Sequence, residues 1–159
     1  MSIASGKTHP TLLYNLCGHV LTCVQIAKYC GITLTDELSW SSHVHSIHIR
    51  ANSTVGFLRS RNLRCCSAKL KETAYITLVR STLEYAASIW DPHLAMDCEC
   101  DLLEKLQQPS ARLVKGDNRA TSSVSQMLHN LGWRDLKDRQ RDLRLALLYK
   151  IVTAWACGH

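Results

Sequence analysis

The hydrophobic pattern is strongest between residues 70 and 92, where apolar residues recur at helical spacing. They form two neighbouring rows: Leu70, Ala74, Leu78, Tyr85 and Ile89, and beside them Tyr75, Val79, Leu83, Ala86 and Trp90. Two apolar rows predict a central helix that neighbouring helices cover on both sides. We predict that this helix begins after an N-cap at Ser67 and ends before Asp91-Pro92. A polar row at the same spacing predicts one exposed face and consists of Thr73, Thr77, Arg80, Glu84, Ser88 and Asp91.

Shorter apolar runs rich in β-branched residues precede this helix. They read TLLYNL, HVLTCVQIA and KYCGITL, and Cys17-Gly18 and Lys28 separate them. This pattern predicts an antiparallel β-hairpin or three-stranded ribbon over residues 11–35. A ribbon of this size is marginal alone, so helices should cover one of its faces.

The helical period continues on both sides of the central helix. An earlier helix, capped by Ser39, Ser41 or Ser42, carries one apolar face made of Trp40, Val44, Ile47, Ala51, Val55 and Leu58. A helix over residues 96–115 contains Pro109, which predicts a kink or two shorter helices.

Two more helices are predicted after residue 122. Ser123 and Gln126 have the spacing of a capping box, and the helix they open should stop at Gly132. Asp135 is the predicted cap of the last helix, whose apolar face consists of Leu136, Leu143, Leu147 and Ile151.

These elements predict an α+β fold with a helical majority, in which a short antiparallel β-ribbon precedes a bundle of about five helices. The chain of 159 residues is 46% hydrophobic, which suits one domain with a real core. We divide it into a flexible start (1–10), the ribbon (11–35), the helical bundle (36–155) and a tail (156–159).

Charge adds one candidate surface. The net charge is +6, and no acidic residue occurs between Glu37 and Glu72. Such a basic run is typical of a surface that contacts phosphates, although a solvated basic face is the simpler interpretation. The candidate nucleic-acid-binding residues are Arg50, Arg59, Arg61, Arg64, Lys69 and Lys71.

The remaining candidate chemistry is weak. Three histidines, His43, His45 and His48, lack a further ligand, and Cys98-x-Cys100 near His93 lacks the spacing of a zinc site. We therefore predict no metal, no cofactor, no catalytic residue and no small-molecule substrate. The aromatic residues should be buried in the core rather than stacked on bases: Tyr75, Tyr85, Trp90 and Trp133. Glu84 should pair with Arg80 one turn earlier.

The eight cysteines are not accompanied by a secretory leader, so we expect reduced thiols and an intracellular protein. The most apolar early window, 11–34, is interrupted by polar residues and glycines and is not expected to span a membrane.

Short motifs follow one another in order along the chain. They are Tyr29-Cys30-Gly31-Ile32-Thr33, Leu38-Ser39-Trp40-Ser41-Ser42-His43, Gly56-Phe57-Leu58-Arg59, Leu78-Val79-Arg80, Leu83-Glu84-Tyr85-Ala86 with Trp90-Asp91-Pro92, Leu103-Glu104-Lys105-Leu106-Gln107, Leu131-Gly132-Trp133 and Leu148-Tyr149-Lys150-Ile151-Val152. Together, over residues 14–153, this series resembles the region downstream of the catalytic palm in reverse transcriptases of non-LTR retrotransposons, the jockey and LINE-like elements.

This resemblance implies that Tyr29, Cys30 and Gly31 occupy the primer-grip hairpin at the edge of the palm. The helices that follow would correspond to the thumb, which holds the duplex of template and primer. The chain departs from the family at Cys30, where the family has leucine, and at residues 108–112, which contain Pro109 instead of a stretch rich in arginine and alanine.

The sequence contains no Asp-Asp pair, which the Mg-dependent palm of such polymerases requires. We therefore expect a non-catalytic fragment or remnant of a reverse transcriptase, with weak contact to an RNA or DNA duplex as its partner. Two alternatives stay open: a stand-alone basic helical module that binds RNA or DNA, and a protein-interaction bundle.

Overall fold

A computed structural model describes residues 14–60, 63, 65–90, 97–116 and 123–157 of the chain. The predictions for the flexible start, for Asp91-Pro92 and for His93 lie outside these residues, as do those for Arg61 and Arg64. The domain boundaries stay predictions.

The N-terminal ribbon consists of two separate antiparallel hairpins. Strand β1 (Asn15–Leu16) pairs with β2 (His19–Val20), and β3 (Ile26–Tyr29) pairs with β4 (Ile32–Thr35). Each turn is a Cys-Gly pair with positive φ at both residues: 49° and 82° at Cys17-Gly18, and 48° and 80° at Cys30-Gly31. Two positive φ values define the type I′ turn, whose twist matches that of the two strands.

The helices follow in chain order. They are α1 (Ser41–Arg59), α2 (Ala68–Ala74, a π-helical stretch Tyr75–Arg80, and Ser81–Glu84), α3 (Ala87–Trp90), α4 (Asp97–Glu104), α5 (Gln107–Lys115), α6 (Val124–Leu131) and α7 (Leu136–Cys157). The predicted mostly helical α+β fold is confirmed. Within the described residues, no helix is long and apolar enough to cross a membrane.

The core lies on one side of α2. α1 contributes five buried residues of its predicted face, Val44, Ile47, Ala51, Val55 and Leu58, and the α2–α3 segment contributes the predicted row that contains Tyr75, Val79, Leu83 and Trp90. The second apolar row of α2 was predicted to be covered as well, which is wrong. Leu70, Leu78 and Ile89 are 50%, 48% and 59% exposed. The reason is that α2 packs against α1 and α5, which meet the row of Tyr75 and Val79.

The central helix ends earlier than predicted. It stops at Glu84, because Tyr85 adopts ψ 120° and Ala86 adopts φ 53°, outside the helical region. α3 then begins at Ala87. The helical period of the sequence continues across this break, so periodicity alone could not reveal it.

The helix predicted over residues 96–115 is divided into α4 and α5, which confirms the expectation of two shorter helices. The break lies just before Gln107, so Pro109 stands in the first turn of α5. Amides of a first turn have no partner within the helix, so the missing N–H of proline costs little there.

The helix ends confirm some predicted caps and correct others. Ser67 caps α2 by accepting a hydrogen bond from the Leu70 amide at 3.4 Å, and α6 ends at Gly132 in the left-handed conformation. The capping box at Ser123 is wrong, because the Ser123 side chain makes no cap hydrogen bond. At α7, the carboxylate of Glu104 from α4 accepts a hydrogen bond from the Leu136 amide at 2.9 Å. A side chain from another helix thus stabilises this end.

α7 is buried only at its beginning. Leu136 and Gln140 are each 2% exposed, whereas the other members of the predicted apolar face are open: Leu143, Leu147 and Ile151 are 39%, 38% and 57% exposed. The main contacts of α7 with other elements are those with α3 and α4. The predicted buried face is therefore correct at Leu136 and wrong beyond it.

Candidate nucleic-acid interface

The turn of the second hairpin rests on the end of the central helix. The hydroxyl of Tyr85 donates a hydrogen bond to the carbonyl oxygen of Cys30 at 2.9 Å. A Cβ atom at Gly31 would lie 3.4 Å from the Tyr85 ring, so the ring packs closely over this glycine. Two segments that carry the family resemblance are thereby in direct contact, although they are 55 residues apart.

The break after Glu84 holds Tyr85 in this position. The indole N–H of Trp90 donates a hydrogen bond to the Tyr85 carbonyl oxygen at 2.7 Å. Trp90 is 0% exposed and anchors this bond in the core. Because the buried side chain of Trp90 satisfies the carbonyl of Tyr85, this acceptor is not orphaned where the helix ends.

A cavity of about 410 Å³ opens between the hairpin turn, α1 and the end of α2. This volume lies within the range of small-ligand sites. Its walls are formed by Gly31, His43, Ile47, Arg50, Ser81, Thr82 and Tyr85. The sequence prediction included Gly31 and Arg50 among its candidate residues and placed Tyr85 in the core, which is wrong, because Tyr85 is 55% exposed. The core prediction is correct for Tyr75, Trp90 and Trp133.

His43 is the most deeply buried polar wall of the cavity, with 3% exposure. Its Nδ1 accepts a hydrogen bond from the Thr33 amide at 3.2 Å, so a neutral ring carries its proton on Nε2. Burial and, to a lesser extent, the nearby Arg50 cation hold the pKa of His43 below its ordinary value, which favours that neutral ring. Among the described residues, Nε2 has no hydrogen-bond partner.

The other polar walls supply a cation and acceptors. Arg50 is exposed, and the acid-free run around it provides no carboxylate neighbour in sequence. The hydroxyls of Ser81 and Thr82 donate to the carbonyl oxygens of Thr77 and Leu78, at 2.5 and 2.9 Å. Their protons are therefore committed to the helix, and their oxygens remain available as acceptors.

The structure separates the predicted basic residues. Arg50 and Arg59 lie about two and a half turns apart on α1, on opposite sides of the helix. Lys69 is exposed on α2, whereas Lys71 is only 9% exposed. Within this set, Arg50 lines the cavity.

An ion-pair cluster is centred on Glu84, the last residue of α2 before the helix break. Glu84 accepts hydrogen bonds from Nε and Nη2 of Arg139, the latter at 3.1 Å, and its carboxylate lies 3.8 Å from Nε of Arg80. The hydrogen bond to Glu84 raises the pKa of Arg139. The predicted pair with Arg80 is confirmed, and the stronger partner comes from α7.

The described residues contain no group of three or more His, Cys, Asp or Glu side chains placed to hold a metal ion. His43 is buried while His45 points to solvent. His93 lies outside the described residues, and the structure does not describe the side chains of Cys98 and Cys100.

Comparison with known proteins points to the RNA-directed DNA polymerases of transposons. One curated relative is the Drosophila melanogaster protein "Probable RNA-directed DNA polymerase from transposon X-element", which is 33% identical over 94 residues. The aligned part is 57% of this chain and 10% of the relative. This relation confirms the predicted kinship to a mobile-element reverse transcriptase. No protein-family model and no solved structure matches the chain.

Proposed function

We propose that this chain corresponds to the part of a reverse transcriptase that holds the duplex of primer and template, and that it does not polymerise by itself. The observation that carries the proposal is the contact of the Cys30-Gly31 turn with Tyr85. In the resemblance, the first segment is the primer-grip hairpin and the second belongs to the thumb. A direct contact between them is what a surface shared by both would need.

The absence of an Asp-Asp pair from the sequence supports the non-catalytic part of the proposal. Polymerases of this type bind two Mg²⁺ ions about 3.5–4 Å apart on such carboxylates. Of the candidate basic residues that the structure describes, Arg50, Arg59 and Lys69 are exposed, and they would bind phosphates without reading bases.

The test is duplex binding as a function of salt, measured by fluorescence anisotropy with a blunt RNA–DNA duplex. We expect the affinity to fall as salt rises, and the slope to decrease by about 0.9 for each phosphate contact that is removed. Neutralising Arg50, Arg59 and Lys69 to glutamine should lower the slope. Changing Lys150, an exposed cation on α7, to glutamine serves as the matched control and should leave it unchanged.

A salt-independent signal, or equal effects of the control and the triple variant, would refute the duplex-binding proposal. Binding by the isolated chain at about 150 mM salt would favour the stand-alone module over a remnant, because the Debye length is then only about 8 Å and weak contacts are screened.

A further inference from the structure

We propose that the cavity beside Tyr85 binds a single unpaired nucleotide of a nucleic-acid strand, with its base on the Tyr85 ring and its phosphate at Arg50. This inference rests on the proposed function, because both require nucleic acid on this face. It adds a different ligand state, since a base that is paired and stacked in a duplex cannot enter a cavity.

The shape of the site carries the first step. Tyr85 presents an exposed aromatic face whose position is fixed twice, by its hydroxyl bond to Cys30 and by its close packing over Gly31. Bases stack on aromatic side chains of this kind in proteins that bind single strands. A ring already held in place loses little conformational entropy when a base stacks on it.

The polar groups of the cavity favour a nucleobase over a bare phosphate. A nucleobase offers both donors and acceptors, and the residues that line the cavity carry both. The Nε2–H of His43 is a buried donor that lacks an acceptor among the described residues. The oxygens of Ser81 and Thr82 are acceptors whose own protons are already bound to the helix. A bare phosphate needs donors alone, so this mixture favours a base.

The position of the Arg50 cation suits a phosphate attached to the base. Arg50 occupies the same face of α1 as His43 and Ile47, two turns beyond His43, or about 10 Å along the helix axis. A guanidinium at the rim suits the phosphate that accompanies the base. His43 and Arg50 thus lie at the two ends of the stretch of α1 that lines the cavity.

The test compares three ligands by anisotropy: a blunt RNA–DNA duplex, the same duplex with one unpaired 2-aminopurine nucleotide at its end, and free adenosine monophosphate. We expect the unpaired nucleotide to increase affinity at least about fivefold over the blunt duplex and the fluorescence of 2-aminopurine to change on binding. Tyr85→Leu should abolish this gain. Tyr85→Phe, which keeps the ring, should retain most of it.

Tyr149→Leu is the matched control, because Tyr149 is 70% exposed on α7 and does not line the cavity. Circular dichroism would verify that each variant is folded. Equal affinity for both duplexes in the unaltered chain, with blunt-duplex binding intact, would overturn the nucleotide site and leave the duplex proposal standing. Binding of neither duplex would overturn both. Tight binding of free adenosine monophosphate without a gain from the unpaired nucleotide would identify a mononucleotide site and also overturn the inference.

Discussion

The ion pair between Glu84 and Arg139 should be a main link between the central helix and α7. It joins residues that are 55 positions apart and forms two hydrogen bonds between one carboxylate and one guanidinium. We predict that Glu84→Gln lowers the free energy of unfolding by about 2 kcal/mol. The change removes the negative charge and leaves Arg139 and Arg80 facing each other without compensation.

The magnitude follows from exposure. The side chains of Glu84 and Arg139 are 17% and 31% exposed, so this pair lies between a fully buried ion pair and an exposed one. Breaking a fully buried pair costs about 3–5 kcal/mol, and exposed pairs contribute less than about 1 kcal/mol. Arg139→Gln should cost less than Glu84→Gln, because Arg80 stays near the carboxylate at 3.8 Å.

The assay is urea denaturation followed by tryptophan fluorescence, which reports on the buried Trp90 and Trp133. For a domain of this size, a loss of 2 kcal/mol corresponds to a melting temperature lower by about 4–8 °C. The matched control is Asp142→Asn, which breaks the Arg134–Asp142 pair at 2.7 Å, whose side chains are 55% and 46% exposed. The reasoning is refuted if Asp142→Asn costs as much as Glu84→Gln, or if a double-mutant cycle gives a coupling below about 0.5 kcal/mol.

Three further predictions use the same denaturation assay. Tyr75→Phe should raise the free energy of unfolding by about 1 kcal/mol, because the buried Tyr75 hydroxyl has no partner among the described residues. Tyr85→Phe should lower the free energy of unfolding by about 1 kcal/mol, because the Tyr85 hydroxyl donates to Cys30. The opposite order of the two variants would contradict this reasoning. Ala86→Gly should raise the free energy of unfolding by up to about 1 kcal/mol, because glycine adopts φ 53° without strain. Ala87→Gly, at the first residue of α3, should lower the free energy of unfolding by about 1 kcal/mol. Because burial and Arg50 depress the pKa of His43, the contribution of this residue to the free energy of unfolding should be constant above pH 6.5 and should fall as the pH drops below that value. His43→Gln should flatten this pH dependence, and an unchanged pH dependence in the variant would show that His43 is not its source.

Local rules predicted much of this fold from the sequence. The Cys17-Gly18 pair indicated a hairpin turn, the apolar face of α1 is buried, and Ser67 and Gly132 mark helix ends as expected. The second turn lies at Cys30-Gly31 and not at Lys28, as the pattern predicted, because Lys28 lies inside β3. The features that were predicted correctly each depend on a few residues that are adjacent in sequence, so local sequence is enough to predict them.

The errors concern features that depend on distant parts of the chain. Both apolar rows of α2 look alike in sequence, and only the positions of α1 and α5 decide which one is covered. The carboxylate that accepts a hydrogen bond from the first amide of α7, that of Leu136, belongs to Glu104, 32 residues earlier. The cavity could not be predicted for the same reason, because its walls come from a hairpin turn and two helices. The one available signal was the pair of motifs that contain Gly31 and Tyr85.

The segment Leu83-Glu84-Tyr85-Ala86, with Trp90, shows why a short motif can mark a whole surface. Leu83 and Trp90 fill the core, Glu84 binds α7, and Tyr85 faces the cavity. An unbroken helix could not turn the Tyr85 ring onto Gly31 while its carbonyl accepts a bond from Trp90. The positive φ of Ala86 therefore helps to position Tyr85: this backbone conformation costs a non-glycine residue about 1–2 kcal/mol and leaves the aromatic ring exposed beside the buried imidazole of His43.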